Sequence, residues 1–232
     1  MSNALVIIPT YKERDNIVAI IDSVLAQPKD FHILIIDDGS PDGTADLVKK
    51  LQNQYNSSTE TKLHLIERKG KLGLGTAYLT GFQYAIDHGY EFVLEMDADF
   101  SHDPKDLNPL YLACSEFGSD VAIGSRYATG VNVVNWPIGR VLLSYFASSY
   151  VRLITGMPIR DTTAGFVCYR KKVLETIPLD RVKFVGYAFQ IEMKFLAWKY
   201  GFKLSEVPII FTERVRGESK MSAGIFKEAF FG

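Results

Sequence analysis

The sequence predicts an α/β domain built on a mostly parallel sheet flanked by helices. Short, apolar, largely β-branched runs recur five times in the first 125 residues. Segments with apolar residues at helical spacing separate them. No linker, repeat or low-complexity stretch divides the chain, so one domain is expected.

Residues 4–9 (ALVIIP) read as a first strand buried on both faces. Residues 13–27 follow with Ile17, Ile20, Ile21, Val24 and Leu25 on one helical stripe. Residues 32–36 are the second strand and 44–55 the second helix; 62–67 are the third strand, followed by a glycine-rich loop and a helix over about 76–88. Residues 91–96 make a fourth strand, 105–117 a helix, and 120–124 a fifth strand. This order implies right-handed crossovers with helices on both faces. After Arg126 the rhythm changes: residues 127–139 are uncharged and rich in Gly, Asn and Val, and 140–155 read as one helix. Two further strands, 164–169 and 206–211, bracket a helix at 190–200. Residues 225–232 carry part of an amphipathic pattern, with Phe226, Phe230 and Phe231, that suits a core helix or an interfacial anchor.

With 232 residues, 47% hydrophobic and 23% charged, the composition is that of a globular protein and excludes disordered, collagen-like and coiled-coil readings. Cys114 and Cys168 are too few for a disulfide framework, and with the four histidines they match no zinc-binding spacing; they read as reduced thiols. The first residues carry no secretory signal. The longest apolar stretch, 141–151, lies between Arg140 and Arg152 and is about half the ~20 residues a membrane span needs. A soluble or peripheral protein is expected.

The net charge of −1 conceals an asymmetry. Residues 1–120 hold 10 Lys/Arg against 19 Asp/Glu, and residues 121–232 hold 16 against 8. Two solvated surfaces of opposite sign would produce this, and so would a site with a cation on one wall and phosphates on the other. Nucleic acid is not expected: the pI is near 6.4, and no basic stripe interleaves with aromatics.

Ligands of open parallel sheets bind outside the carboxyl ends of the strands, and the chemically distinctive clusters all fall there. Pro9-Thr10-Tyr11-Lys12-Glu13 follows the first strand, and Asp37-Asp38-Gly39-Ser40-Pro41-Asp42-Gly43-Thr44 the second. Residues 68–75 (RKGKLGLG) follow the third, Asp97-Ala98-Asp99 the fourth, and Gly124-Ser125-Arg126 the fifth. Asp97 and Asp99 are hard oxygen donors suited to Mg2+ or Mn2+, which complete their shells with phosphate oxygens and water. Asp42 and Thr44 suit capping of the second helix, while Asp37 and Asp38 suit a ribose or base. Gly73-Leu74-Gly75 lacks the third glycine of a dinucleotide fingerprint, because Tyr78 stands in its place. With Arg68, Lys69 and Lys71 it reads as a basic loop near phosphates. Arg126, Arg140, Arg214, Arg216 and Lys220 lie near glycines and turns, where guanidinium forks can meet phosphate oxygens.

These motifs resemble those of the inverting GT-A (Rossmann-like) glycosyltransferase family 2. The matching segments are P-T-Y-x-E at 9–13, D-D-G-S-P-D-G-T at 37–44, G-K-x-G-L-G-x-A at 70–77, D-A-D at 97–99, G-S-R at 124–126, D-T-T-A-G-F at 161–166 and E-R-x-x-G-E-S-K-M at 213–221. The likeness runs from about Leu5 to Ser222 and is strongest to the dolichyl- and polyprenyl-phosphate mannose synthase branch. It implies a nucleotide- and metal-binding part over 1–125 and an acceptor-binding part over 126–232. It places Pro9, Tyr11, Glu13, Asp38 and Lys71 around the nucleotide sugar, with Asp97 and Asp99 as metal ligands. Ser101 stands where similar enzymes carry a metal-approaching Gln, so water is expected there. Arg126, Arg140 and Ser144 match residues that meet the acceptor phosphate, and Arg214 and Lys220 match a loop near the donor phosphates. Asp97, Asp99, Arg126 and Lys220 are then the catalytic set.

The activity the resemblance implies is transfer of mannose from GDP-mannose to a polyprenyl (dolichyl) phosphate, with Mg2+ or Mn2+ as cofactor and a β-linked product. The enzyme would be cytoplasmic and peripheral on the cytoplasmic face of a membrane, like relatives that work as catalytic subunits with a membrane-anchoring partner. Alternatives are another donor such as UDP-glucose, an inactive nucleotide-sugar-binding subunit, or transfer to a saccharide. A saccharide hydroxyl needs a carboxylate base, for which Asp161 is the only obvious candidate, and its plainer reading is a structural role.

Overall fold

The computed structural model describes residues 2–186 and 188–213. A seven-stranded sheet orders its strands β3-β2-β1-β4-β7-β5-β8. These are β1 (Ala4–Thr10), β2 (His32–Asp37), β3 (Leu63–Glu67), β4 (Phe92–Glu95), β5 (Val121–Ser125), β7 (Val167–Arg170) and β8 (Leu204–Pro208). Strand β7 alone runs antiparallel to its neighbours, β4 and β5. The first five strands therefore point one way, and their carboxyl ends share an edge. Two short strands, β6 (Val133–Val134) and β9 (Phe211–Thr212), pair in a separate parallel ribbon.

Alternate residues of β1 serve the two faces. Ala4, Val6 and Ile8 pack with Ile17, Ile20, Ile21 and Val24 of α1 (Arg14–Leu25), Val48 and Leu51 of α2 (Thr44–Tyr55), and Leu107 and Leu110 of α4 (Leu107–Ser115). Leu5 and Ile7 pack with Tyr78, Phe82 and Ala85 of α3 (Leu74–Asp87), Val173 and Leu174 of α6 (Lys171–Thr176), and Phe189, Met193 and Ala197 of α7 (Ala188–Lys199). The remaining helix, α5 (Ile138–Thr155), leaves the sheet: Ser148 is its one buried residue.

Two expected elements change and one unexpected helix appears. The strand expected at 164–169 begins only at Val167, because the preceding carbonyls are drawn to Lys194 of α7, whose ammonium donates to Ala164 O at 2.6 Å and to Thr162 O at 3.3 Å. The strand expected at 206–211 splits: β8 ends at Pro208, and Phe211–Thr212 leaves to join β6. Helix α6 carried no sequence signal of its own. Residues 225–232 lie outside the described residues.

Candidate active site

The strand geometry brings the expected clusters to one edge. At the end of β4 the chain turns sharply: Phe100 has φ +60°, a left-handed conformation rare for an aromatic residue. This turn lets the Ser101 backbone N–H donate to the buried Asp99 carboxylate at 3.0 Å. Asp97 is more exposed, and its Oδ2 lies 3.9 Å from Nδ1 of the buried His102. That nitrogen has no hydrogen-bond partner, and the ring stacks on Phe166 at 4.7 Å. Burial lowers the His102 pKa to about 4, with the Asp99 charge opposing, so the imidazole is neutral. Two carboxylates in a water-accessible turn, backed by a neutral imidazole rather than a cation, form a donor set that fits a divalent metal.

Asp97, Asp99, Arg126, Arg140 and Ser144 line one cavity of about 250 Å³, with Tyr78, Trp136 and Glu213 also in its wall. Acids from the end of β4 thus share a cavity with arginines from the end of β5 and from α5. Arg126 is buried against Asp161: Nε and Nη2 donate to the two carboxylate oxygens at 2.8 and 2.7 Å, and the Arg126 backbone N–H donates at 3.0 Å. Nη2 also donates to Thr163 Oγ1 at 2.8 Å. Burial pushes the Asp161 carboxyl up, but the Arg126 bonds and charge outweigh it and hold it below the usual range. Asp161 is in turn fixed through its own N–H, which donates to Glu206 at 2.9 Å. The base role considered for Asp161 is therefore corrected, since both its oxygens are engaged by a cation.

Arg140 stacks on Trp136, with the guanidinium 4.1 Å from the ring centroid, and donates to both oxygens of Glu213 at 2.6 and 2.7 Å. Trp136, Glu213 and His102 were not singled out by the sequence. Glu213 lies within the matched 213–221 segment and His102 follows the acids by three residues, whereas nothing in the sequence marked Trp136.

A second group sits at the ends of β1, β2 and β3. Asp37 accepts from Ser40 N–H at 2.8 Å, from Ser40 Oγ at 2.6 Å and from Thr10 Oγ1 at 2.9 Å, so it ties the turn together. Asp38 Oδ1 accepts from Arg68 Nε at 2.6 Å, and the Nη2 of the same guanidinium lies 2.5 Å from that oxygen as an ion pair. The N-cap of α2 is Gly43 rather than the expected Asp42 or Thr44; Asp42, one residue earlier, accepts from the Thr44 N–H at 3.1 Å, and Thr44 Oγ1 accepts from the Glu13 N–H at 3.1 Å. Pro9 lies within β1. The nearly buried Glu13 accepts from Asn16 Nδ2 at 2.9 Å. The ammonium groups of Lys12 and Lys71 each lie 5.6 Å from the Tyr11 ring centroid, so Lys71 and Tyr11 do meet. Gly75 in the loop after Lys71 has a packing reason: a Cβ there would fall 2.9 Å from Phe184 O and from the Phe189 ring, and its N–H donates to Val185 O at 2.8 Å. Arg214, Arg216 and Lys220 lie outside the described residues.

An edge that pairs strand-end acids with arginines across one cavity suits a transferase that handles phosphorylated substrates. The chain belongs to glycosyl transferase family 2, whose model matches residues 5–177. It is 47% identical over 98% of its length, and 84% of the relative's, to polyprenol monophosphomannose synthase of Mycolicibacterium smegmatis. It is 40% identical to undecaprenyl-phosphate mannosyltransferase of Micrococcus luteus, over 97% of this chain and 90% of that one. The fold matches glucosyl-3-phosphoglycerate synthase from Mycobacterium tuberculosis, solved with Mn2+, UDP and glucosyl-3-phosphoglycerate, at a TM-score of 0.66 and 17% identity over 93% of this chain and 72% of that one. It also matches a mannosyltransferase from Pyrobaculum calidifontis, solved with GDP-Man and Mn2+, at a TM-score of 0.58 and 17% identity over 94% and 58% of the two chains.

Proposed function

We propose that the protein transfers mannose from GDP-mannose to a polyprenyl phosphate, giving a β-linked polyprenyl-phosphate mannose. The single observation that carries this reading is the shared cavity, lined by Asp97, Asp99, Arg126 and Arg140 together. The names of the two curated relatives supply the acceptor class and the sugar. GDP as the donor's nucleotide follows from the family resemblance and is supported by the Pyrobaculum neighbour, solved with GDP-Man.

In this reading residues 1–125 hold the donor and residues 126–232 the acceptor. Tyr11, Asp38 and Lys71, with Pro9 and Glu13, flank the nucleotide, and Arg214 and Lys220 complete the phosphate side. Asp97 and Asp99 hold Mg2+ or Mn2+, which when bound offsets charge on the donor diphosphate. Arg126, Arg140 and Ser144 orient the acceptor phosphate. Its oxygen is anionic at neutral pH and needs no general base, which agrees with the engagement of Asp161 by Arg126. The protein's task is then alignment and charge stabilisation, and attack from the face opposite the leaving group inverts the anomeric centre. The bidentate hold on Asp161 disfavours the saccharide-acceptor alternative.

The acceptor is a lipid, and α5 supports work at a membrane surface, which we place at the cytoplasmic face. Ile138, Leu142, Leu143, Phe146, Leu153 and Ile154 of this helix are exposed, and its only charged residues are Arg140 and Arg152. An apolar helix with basic residues and no acids suits a bilayer interface. No described helix is long and apolar enough to cross a membrane.

The test is incubation with radiolabelled GDP-mannose, a polyprenyl phosphate and Mg2+ or Mn2+, counting label in the organic phase with and without EDTA. EDTA-sensitive label supports the proposal. Label from UDP-glucose alone would change the donor, and no transfer from any donor would favour a binding subunit.

A further inference from the structure

At the rim of the sheet opposite the active-site edge, three metal-ligating side chains converge. Asp30 precedes β2, His32 opens it, and Glu60 lies just before β3. One ligand atom from each falls within 4.8 Å of the other two. Glu60 is presented by a closed turn: its N–H donates to Ser57 Oγ at 3.0 Å and its carbonyl accepts from Ser57 N–H at 2.8 Å.

His32 is the second and independent observation. Its side chain is only 5% exposed, and its Nε2 lies 3.6 Å from the Glu60 carboxylate with no hydrogen-bond partner. The other ring nitrogen is anchored: His32 Nδ1 lies 2.8 Å from the Tyr90 hydroxyl, which is 3.1 Å from His64 Nε2, and His64 Nδ1 is 2.9 Å from the Tyr84 hydroxyl. The hydrogens of this chain can run in either direction. When they run outward, His32 Nδ1–H donates to Tyr90, Tyr90 O–H to His64 and His64 Nδ1–H to Tyr84. That leaves the Nε2 lone pair directed at two carboxylates, an arrangement that calls for a cation. An imidazole whose far nitrogen donates to a fixed partner is the usual setting of a metal-binding histidine.

One cation is already nearby. The Lys62 ammonium lies 2.8 Å from Asp30 and 3.5 Å from Glu60. These side chains are one third to one half exposed, and exposed pairs of this kind are weak, so a divalent ion can displace the ammonium. We propose that Asp30, His32 and Glu60 form a second divalent-metal site, separate from Asp97 and Asp99, that takes Zn2+ in preference to Mg2+. A nitrogen with two carboxylate oxygens suits zinc, whereas magnesium favours all-oxygen shells and retains its water. Bonds of about 2.0–2.2 Å require the ligands to draw closer. Asp30 and Glu60 can rotate inward from the surface while His32 stays fixed. The bound ion would tie the start of β2 to the turn at 57–60.

The test uses the full chain carrying Asp97→Asn and Asp99→Asn, so that only the proposed site is read. Competition against a chromophoric zinc chelator is expected to show one Zn2+ per chain with a Kd of about 10 µM or tighter, unaffected by millimolar Mg2+. His32→Gln should weaken it at least about tenfold, and Lys62→Ala should tighten it about threefold or more by removing the competing charge. Asp30→Asn and Glu60→Gln, both at the surface, give the same loss as His32→Gln without disturbing the core, with circular dichroism as the folding control. Equal zinc affinity in the parent and in the Asp30→Asn and Glu60→Gln variants overturns the site, as does absence of binding in the parent and in Lys62→Ala.

Discussion

Arg126 grips Asp161 through three N–H donors, two from the guanidinium at 2.8 and 2.7 Å and one from its own backbone at 3.0 Å. Asp161 thereby sets the direction of an arginine that lines the acceptor side of the cavity. Asp161→Asn should raise the KM for polyprenyl phosphate by about tenfold or more and change the KM for the donor little. It should also destabilise the fold by about 3–5 kcal/mol, because a buried cation loses its partner. Steady-state kinetics with each substrate varied, together with urea unfolding, check both parts; an unchanged acceptor KM would contradict the positioning role.

Asp99→Asn keeps an oxygen able to accept from Ser101 N–H but removes the negative charge. Turnover should fall at least about a hundredfold, while the thermal midpoint stays within a few degrees. Activity close to the parent's would remove Asp99 from the metal site.

Glu213 takes the Arg140 Nη1 donor with both of its carboxylate oxygens, so an acceptor phosphate must compete with it for that nitrogen. Both side chains are about one third exposed, which limits the pair to about 1 kcal/mol. Glu213→Gln should therefore lower the acceptor KM roughly fivefold, and Arg140→Ala should raise it. Initial rates over a range of lipid concentration distinguish these directions.

Leu153 and Ile154 are 85% and 64% exposed on α5. Replacing both by Asp should cut co-sedimentation with anionic vesicles about tenfold or more. Transfer to a short-chain, water-soluble acceptor should persist, since neither residue lines the cavity.

Burial, with smaller contributions from His32 and His88, lowers His64 to about 4, against about 6.5 for an unfolded imidazole. The unfolded chain then binds a proton that the folded chain refuses, so stability is lost as pH falls from about 6.5 towards 4. The loss attributable to His64 is on the order of 1–3 kcal/mol. Urea midpoints between pH 7 and 4.5 should fall less steeply in His64→Gln than in the parent.

The strand-end clusters were legible in the sequence because strands buried on both faces read as uninterrupted apolar runs, and in a parallel sheet the residues after them share an edge. From that rule Asp97, Asp99 and Arg126 could be assigned to one region before any coordinates. The motif likeness added Ser144 and gave Arg140, already marked by its place near glycines and turns, an acceptor-phosphate role; no strand-end argument reaches either, because α5 lies off the sheet.

Other features depended on contacts between distant residues. The expected strand at 164–169 starts late, at Val167, because Lys194 draws the preceding carbonyls away, and just upstream Arg126 claims Asp161. Asp38 meets Arg68 across 30 residues. Glu213 meets Arg140 across 73, and Trp136 slides under the same guanidinium. Local pattern specifies where an element forms, since burial and backbone preference act over a few neighbours. Which charge neutralises which is decided by three-dimensional proximity. The sequence by itself determined the α/β class, the reactive edge and the acid pair. Only the tertiary structure decided that Asp161 orients an arginine rather than abstracting a proton, and that both acceptor-side arginines rest on carboxylates in the free protein.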